Sequence, residues 1–352
     1  MILAVELLRD LVRIPSPSGR EDAVVARLED EFRRLGWTPQ RHGRNLTALL
    51  DGGPGPLLLL NSHTDTVPVG ENWTKDPHAA QVENGRIYGR GANDAKGCLA
   101  AMILGAAQAF AKDAPKGRVL VAASCEEEVL GKGLEKLLPL LPRPDAAVVG
   151  EPTGLNPAVA QKGLIVLEID ASGRAAHAAH GGGVNAVEGA ARDVLALSKL
   201  RFDKVHPALG APTLNVTQIS GGSSHNVIPD RCTLVVDIRT TPDYAPDEIV
   251  ARVREAVEGS VRVRSSRLDS VATDPAHPVV QAALAANPAG KPYGSPTLSD
   301  WVFLKGVPTV KAGPGDSRRS HTPDEYLEVA ELEAGVRFYE ALIRNYFLKA
   351  AP

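Results

Sequence analysis

Short, continuously apolar segments alternate with helical patterns along the first part of this 352-residue chain. PLLLLNS (56–62), RVLVAAS (118–124) and DAAVVG (145–150) are such segments, and the alanine-rich residues 96–112 predict a helix. Strands that are apolar on both faces are typical of parallel sheets covered by helices. The first part of the chain is therefore predicted to form an α/β domain, with a mostly parallel sheet flanked by helices.

The pattern changes between residues 164 and 270. The elements predicted there follow the order β-α-β-β-α-β, which is the order of a ferredoxin-like unit. Further along, helices and a strand at PTVKAG resume the earlier pattern. We predict a discontinuous domain formed by 1–163 and 271–352, interrupted by a smaller α+β domain at 164–270.

The N-terminal residues predict an amphipathic helix over 3–13, because charged residues interrupt the apolar positions that a signal peptide would need. Ser18 and Glu21 then have the spacing of a capping box. A second helix running to about Leu35 is predicted to begin there.

The composition excludes several classes of protein. The net charge is -3 and the basic residues are dispersed, whereas a nucleic-acid-binding protein needs a basic face. No apolar stretch approaches the roughly 20 residues that cross a membrane. Three cysteines (Cys98, Cys125 and Cys232) without CxxC spacing predict free thiols in a reducing cytoplasm. We interpret Cys125 as a packing residue.

Polar side chains follow the predicted strands where each strand ends, and a glycine-rich loop and a distant segment add two more. In chain order they are His63 and Asp65, Asp94 in GRGANDAKG, the run Glu126-Glu127-Glu128, Glu151, and His321 in SRRSHTPDEY. Ligands of open parallel sheets bind in the crevice beyond the carboxyl ends of the strands. The sequence therefore predicts one site that contains imidazoles and several carboxylates.

Two histidines and three or more carboxylates form a nitrogen and oxygen ligand set. That set suits zinc in a hydrolytic site, or cobalt or manganese. Five or six donors fit two ions about 3.5–4 Å apart that share a carboxylate, with one glutamate left to transfer a proton. Each residue alone has an ordinary alternative, such as a structural histidine at His63, a helix cap at Asp94 or an exposed loop residue at His321.

Seven motifs occur in the order seen in one family. They are HTDTVP (63–68), YGRGANDAKG (88–97), EEEVLGKG (126–133), GEPTG (150–154), GRAAHA around His177, NVIPDRC (226–232) and GPGDSRRSHTPDEY (313–326). In these motifs the chain resembles the M20-type metallo-aminoacylases and carboxypeptidases, and among them the acetylornithine deacetylase and succinyl-diaminopimelate desuccinylase branch. The likeness covers nearly the whole chain.

The resemblance implies the metal ligands residue by residue. His63, Asp94 and Glu151 would hold one zinc, and Asp94 would bridge to a second zinc held by Glu128 and His321. Cobalt or manganese are possible substitutes.

The resemblance also implies two further roles near the metals. Asp65 would hydrogen-bond His63 and fix its tautomer, and Glu127 would be the general base. The family usually has Asp-Glu-Glu where this chain has three glutamates, so the register is a choice. A slip by one residue would make Glu126 the base and Glu127 the ligand.

Three residues of the inserted domain match the lid of related enzymes. His177 would donate to the oxyanion across a homodimer formed through 164–270, although His180 lies nearby. Asn226 and Arg239 would meet the substrate carboxylate, and an ordinary ion pair is the alternative for Arg239.

The function implied is a cytoplasmic, zinc-dependent amidohydrolase that removes an N-acyl group from an amino acid, with N2-acetyl-L-ornithine in arginine biosynthesis as the favoured substrate. A succinyl-diaminopimelate desuccinylase and a hydrolase releasing lysine or ornithine from a carrier protein are alternatives, and a peptidase of the same family is more distant. A non-catalytic metal-binding scaffold and a dinuclear phosphoesterase are alternatives from other classes of protein.

Asp300, in TLSDW, lies where relatives carry a Thr-Ser-Asp-like segment, but the residues that flank it here differ and no role is predicted.

Overall fold

A computed structural model of the chain describes residues 2–111, 113–129 and 131–350, without the side chain of Ile2. These residues divide into two compact units. Unit 1 contains the described residues up to Val159, Ala272–Tyr293 and those from Ser299 onward. Unit 2 contains Ala160–Val271 and Gly294–Leu298.

The described residues form eight α-helices: α1 (Ile2–Arg13), α2 (Asp22–Arg34), α3 (Lys96–Ala111), α4 (Gly133–Leu137), α5 (Ala186–Lys199), α6 (Pro246–Ala256), α7 (Pro278–Ala286) and α8 (Val329–Lys349). Short 3-10 helices occur at Leu138–Leu140, Asp300–Leu304 and Ser317–Arg319. The helix predicted over 96–112 is α3, and Lys112 lies outside the described residues.

The strands are β1 (Pro39–His42), β2 (Asn45–Asp51), β3 (Leu57–His63), β4 (Val82–Glu83), β5 (Arg86–Tyr88), β6 (Arg118–Ser124), β7 (Ala146–Val149), β8 (Ala158–Gln161), β9 (Gly163–Ser172), β10 (Ala176–His177), β11 (Thr213–Gly221), β12 (Val227–Ile228), β13 (Arg231–Thr240), β14 (Ser260–Leu268), β15 (Val271–Ala272), β16 (Tyr293–Ser295), β17 (Thr309–Lys311) and β18 (Tyr326–Glu328).

The large sheet has the order β1-β2-β6-β3-β7-β17-β8 and continues to β15, with β16 beside β8. Its centre is parallel, because β3 pairs in parallel with β6 and β7, and β17 with β7. The β1-β2 edge is antiparallel, since a two-residue turn containing Gly43 (φ +66°) joins the two strands as a hairpin. The prediction of a mostly parallel sheet flanked by helices is confirmed, with antiparallel pairs added on both sides of the parallel centre, β2 with β6 and β8 with β17.

Helix α3 is buried along most of its length, which explains its alanine-rich composition. It packs against α8, and the two backbones approach closely at Gly105. A Cβ at Gly105 would lie 2.7 Å from Tyr339 Cβ and 2.8 Å from the Val336 carbonyl oxygen. The Tyr339 hydroxyl donates to the Ala312 carbonyl oxygen at 2.7 Å, which ties α8 to the end of β17.

The predicted capping box at Ser18 and Glu21 is wrong. Glu21 precedes α2 in a helical conformation, and no side chain caps the helix. Instead, Ser18 Oγ donates to Asp65 Oδ2 at 2.6 Å, and Glu21 Oε1 accepts the backbone N–H of Glu126 at 3.1 Å. Both side chains therefore form hydrogen bonds with residues at the edge of the sheet where the predicted site lies.

Unit 2 contains an antiparallel sheet of order β11-β13-β9-β14. Buried residues alternate along β9 and β13, and α5 and α6 contribute to the same apolar core. The chain order β9-α5-β11-β13-α6-β14 is the predicted β-α-β-β-α-β order. Among the described helices of the chain, none has both the length and the apolar character needed to cross a membrane.

Candidate metal centre

The candidate metal centre lies at the carboxyl edge of three neighbouring strands. Strands β6, β3 and β7 are adjacent and parallel, and His63 at the end of β3 is in register with Ser124 at the end of β6. The glutamate run follows Ser124, and Glu151 follows β7. Parallel pairing therefore brings the predicted polar residues to one edge of the sheet.

Asp94 lies between two histidines that are distant in sequence. Its Oδ1 is 3.3 Å from His63 Nε2, and its Oδ2 is 3.6 Å from His321 Nε2. Glu151 Oε1 is 3.9 Å from His63 Nε2, whereas Glu128 Oε2 is 2.9 Å from His321 Nε2. Each oxygen of one carboxylate thus faces a different imidazole, an arrangement suited to a carboxylate that bridges two ions.

The described part of the chain contains two groups of donor residues, and within each group the donor atoms all lie within 4.8 Å of one another. One group is His63, Glu127 and Glu151, and the other is His63, Asp94 and Glu128. Imidazole and carboxylate donors of this kind fit divalent ions used in hydrolytic sites. The side chains at this edge therefore fit the divalent metal ions that the sequence implies.

The three consecutive glutamates have different surroundings. Glu126 has a left-handed backbone (φ +59°), and its carboxylate pairs with Arg44, which also contacts Glu21. Glu127 and Glu128 belong to the donor groups described above. In the structure the run is thus divided between one residue in an ion pair and two at the centre.

Asp65 holds the other residues in place through both its backbone and its side chain. Its carbonyl oxygen lies 2.9 Å from His63 Nδ1, and its carboxylate Oδ1 is more distant, at 3.5 Å. Because a carbonyl only accepts, Nδ1 carries a proton, and Nε2, which faces Asp94, is the nitrogen that would bind an ion. The carboxylate accepts the backbone N–H groups of Glu127 (3.0 Å) and Glu128 (3.1 Å). Asp65 therefore meets His63 Nδ1 most closely through its backbone carbonyl, and its carboxylate adds a longer contact.

The carboxylates of the centre oppose one another's ionisation. Burial, with the nearby charge of Glu151, raises the pKa of Glu127 well above its usual range. Burial and the charge of Asp94 raise the pKa of Glu151 to about 8. Burial lowers the pKa of His63, but hydrogen bonds to Asp65 and Asp94 outweigh burial and raise it well above the usual value. Divalent cations would relieve this repulsion between like charges.

Two buried charged residues near the centre were not assigned from the sequence. Asp300 Oδ2 accepts a hydrogen bond from Ser124 Oγ at 2.6 Å, and burial raises the pKa of Asp300 to about 6. Lys311, on β17, is buried, and burial lowers its pKa against the opposing charge of Glu151. A lysine within the apolar segment PTVKAG was the available signal for Lys311.

A cleft of about 500 Å³ lies within unit 1, and Pro152, which follows Glu151 in the chain, is among the residues that line it. Its lining includes Thr153, Lys291, Tyr293, Ser317 and Arg319. Burial, followed by the charge of Glu151, raises the pKa of Tyr293 to about 12. The cleft has room for a small molecule, but none of the candidate donor residues is among those that line it.

The residues predicted for the inserted domain lie in unit 2. His177, on β10, is exposed, and its ring centroid lies 5.0 Å from that of His180. The N–H of Ala178 donates to the Asn226 carbonyl oxygen at 2.9 Å, so His177 and Asn226 lie on adjacent segments. Arg239 Nε donates to Asp237 Oδ1 at 2.9 Å, which is the ordinary ion pair named above as the alternative.

Comparison with known proteins gives one consistent family. Residues 59–345 match the model described as peptidase family M20/M25/M40. Acetylornithine deacetylase from Vibrio cholerae serotype O1 is 31% identical over 92% of each chain, and that from Vibrio atlanticus is 30% identical over 94% of this chain and 93% of the relative.

Solved structures share the fold at lower identity. Aminopeptidase PepT from Bacillus cereus has a TM-score of 0.80 at 20% identity, with 98% of each chain covered. A Bacillus subtilis protein described as a dinuclear metal binding peptidase from the M20 family has a TM-score of 0.76 at 17% identity, covering 99% of this chain and 98% of that one.

Proposed function

The chain belongs to peptidase family M20/M25/M40 and is a metal-dependent amidohydrolase; on this premise we propose that it removes an N-acyl group from an amino acid. The observation that carries the proposal is Asp94, whose two carboxylate oxygens face His63 and His321 at the edge of the sheet. A phosphoesterase is not retained, because the matching family is one of peptidases. A non-catalytic scaffold is not retained, because every candidate ligand and the candidate base are present in the chain.

We propose that His63, Asp94 and Glu151 hold one ion, and that Asp94, Glu128 and His321 hold a second. Zinc is the proposed metal, with cobalt or manganese as substitutes, because the donors are imidazoles and carboxylates. When bound, the two ions supply positive charge that polarises the amide carbonyl and lowers the pKa of water.

Glu127 is the proposed general base and acid. It takes a proton from the attacking water, whose oxygen bonds to the acyl carbon, and delivers that proton to the amide nitrogen, which leaves as the amine when the carbon–nitrogen bond breaks. The hydrogen bonds from Glu127 N and Glu128 N to Asp65 support this assignment, because they hold the two glutamates beside His63.

The proposed substrate is N2-acetyl-L-ornithine, hydrolysed to ornithine and acetate in the cytoplasm as a step of arginine biosynthesis. The relatives named acetylornithine deacetylase support this choice. N-succinyl-diaminopimelate and carrier-protein-linked lysine or ornithine, both in amino-acid biosynthesis, are the competing substrates.

We expect kcat/KM for acetylornithine to exceed that for either competitor at least about tenfold. Faster turnover of a competitor, in parallel steady-state assays, would replace the proposed substrate and keep the reaction.

Residues 164–270 are proposed to form a lid and the contact of a homodimer. His177 donates a hydrogen bond to the developing oxyanion in the active site of the partner subunit. Asn226 and Arg239 hold the substrate carboxylate, which requires Arg239 to exchange its bond with Asp237 for the substrate.

Replacing His177 with Ala is expected to lower kcat by about 10²–10³-fold, the usual cost of one oxyanion donor. His180→Ala is the matched control, since His180 is the neighbouring histidine, and its kcat should stay within about threefold. Steady-state kinetics on both variants, with sedimentation to measure the oligomer, give the comparison. A larger loss in His180→Ala, or a fully active monomer at nanomolar concentration, contradicts these roles.

A further inference from the structure

A buried carboxylate outside the proposed ligand set connects two ligand-bearing segments. Glu325 follows His321 by four residues and is 1% exposed. Its Oε1 accepts the backbone N–H of Asn93 at 2.9 Å and that of Asp94 at 3.0 Å. Its Oε2 accepts from Arg90 Nη1 at 2.6 Å, and Arg90 is 3% exposed. Glu325 therefore anchors the backbone of the loop that carries Asp94.

The same loop holds the His321 segment in return. Asn93 Nδ2 donates to the Asp316 carbonyl oxygen at 3.0 Å and to Ser320 Oγ at 3.2 Å. The Asp316 N–H donates to Asn93 Oδ1 at 3.0 Å. Hydrogen bonds thus run in both directions between residues 90–94 and 316–325.

The segment needs such support because its backbone is unusual. His321 has φ +64° and Asp324 has φ +51°, both in the left-handed region that side chains other than glycine disfavour. Asp324 is fixed by hydrogen bonds from Thr74 N and Lys75 N at 2.9 and 3.0 Å. The next residue along the chain, Glu325, is held by the hydrogen bonds that its carboxylate accepts from residues 90–94.

We propose that Glu325 is a positioning residue that sets the affinity of the centre for its ions. Its carboxylate fixes the backbone of Asp94, whose side-chain oxygens face both histidines. Because Glu325 belongs to the segment that carries His321, these hydrogen bonds also fix the position of Asp94 relative to that segment. Loss of the acceptor lets the two segments move apart and weakens ion binding, without removing any ligand. This inference rests on the metal centre proposed above.

The test compares two paired substitutions that both remove the buried charges. Arg90→Gln/Glu325→Gln keeps an oxygen that accepts the two N–H groups, and Arg90→Leu/Glu325→Leu keeps none. Zn²⁺ affinity is measured by competition with a chromogenic chelator, and the visible spectrum of Co²⁺-loaded protein reports the ligand geometry. We expect the Gln pair to bind Zn²⁺ within about fivefold of the wild type, and the Leu pair to bind about 10–100-fold more weakly.

Glu31→Gln is the matched control, because Glu31 is another buried carboxylate that pairs with arginines, Arg27 and Arg34, outside the centre. It should lower the thermal unfolding temperature without changing Zn²⁺ affinity. Should the Leu pair fail to fold, Glu325→Asp shortens the acceptor by one methylene and is expected to weaken Zn²⁺ binding about tenfold.

Two results overturn the inference while leaving the proposed function intact: wild-type Zn²⁺ affinity in the folded Leu pair or in Glu325→Asp, or equal weakening in the Gln and Leu pairs. Failure of the wild-type protein to bind Zn²⁺ or Co²⁺ would instead reject the metal centre itself, and this inference with it.

Discussion

Replacing Glu127 with Gln is expected to lower kcat on the preferred substrate by about 10³-fold, within the range that proton transfer by a positioned side chain contributes. Glutamine keeps the size of the side chain and cannot accept the proton of water. Because Glu127 is proposed as the base and not as a ligand, two ions should remain bound. Steady-state kinetics together with metal analysis of the purified variant measure both effects.

Glu126→Gln is the control for the register of the glutamate run. Glu126 pairs with Arg44, whereas Glu127 lies with His63 and Glu151 in a group of donor atoms. We expect kcat of the Glu126 variant to stay within about fivefold of the wild type. A loss in Glu126→Gln as large as that in Glu127→Gln, or loss of an ion in Glu127→Gln, would shift the assignment by one residue.

Replacing Asp94 with Asn is expected to have the widest effect on metal binding. One carboxylate serves both proposed ions, so a neutral amide weakens the binding of both. We expect fewer than two ions per chain and a loss of kcat/KM of at least about 100-fold, since even outer partners of a metal ligand contribute 10–100-fold. Metal analysis after dialysis and kinetics at saturating Zn²⁺ give the two quantities.

Asp145→Asn is the matched control for Asp94→Asn. Asp145 Oδ2 accepts the Leu57 N–H at 2.7 Å, where β3 begins, at the opposite end of the strand from His63. Its substitution should leave metal content at two ions and kcat/KM within about threefold. Two tightly bound ions in Asp94→Asn would exclude Asp94 as the shared carboxylate.

The parts of the fold and site that follow from local pattern could be predicted from the sequence. Continuously apolar strands indicated a parallel sheet, and parallel strands place their carboxyl ends together, so His63, Glu127 and Glu151 were expected at one edge. The order of elements in the inserted unit was also readable, because its strands alternate buried and partly buried residues.

Contacts between segments far apart in the chain could not be read from local spacing. Ser18 and Glu21 have capping-box spacing, yet Ser18 binds Asp65, 47 residues away. Glu325 bonds to Asp94 across 231 residues, so its role had no local signal. Tertiary hydrogen bonds of this kind compete with local motifs and decide which partner a polar side chain takes.

Metal-dependent deacylation is tested by hydrolysis of N2-acetyl-L-ornithine by Zn²⁺- or Co²⁺-loaded protein, beside protein stripped with EDTA. We expect kcat/KM at or above about 10⁴ M⁻¹s⁻¹ in the loaded protein. After stripping, we expect kcat/KM to fall at least about 100-fold and to recover when the ion is added back. Equal turnover in loaded and stripped protein would contradict metal-dependent hydrolysis. The absence of turnover of this substrate and of both competitors, with two ions demonstrably bound, would contradict the proposed deacylase.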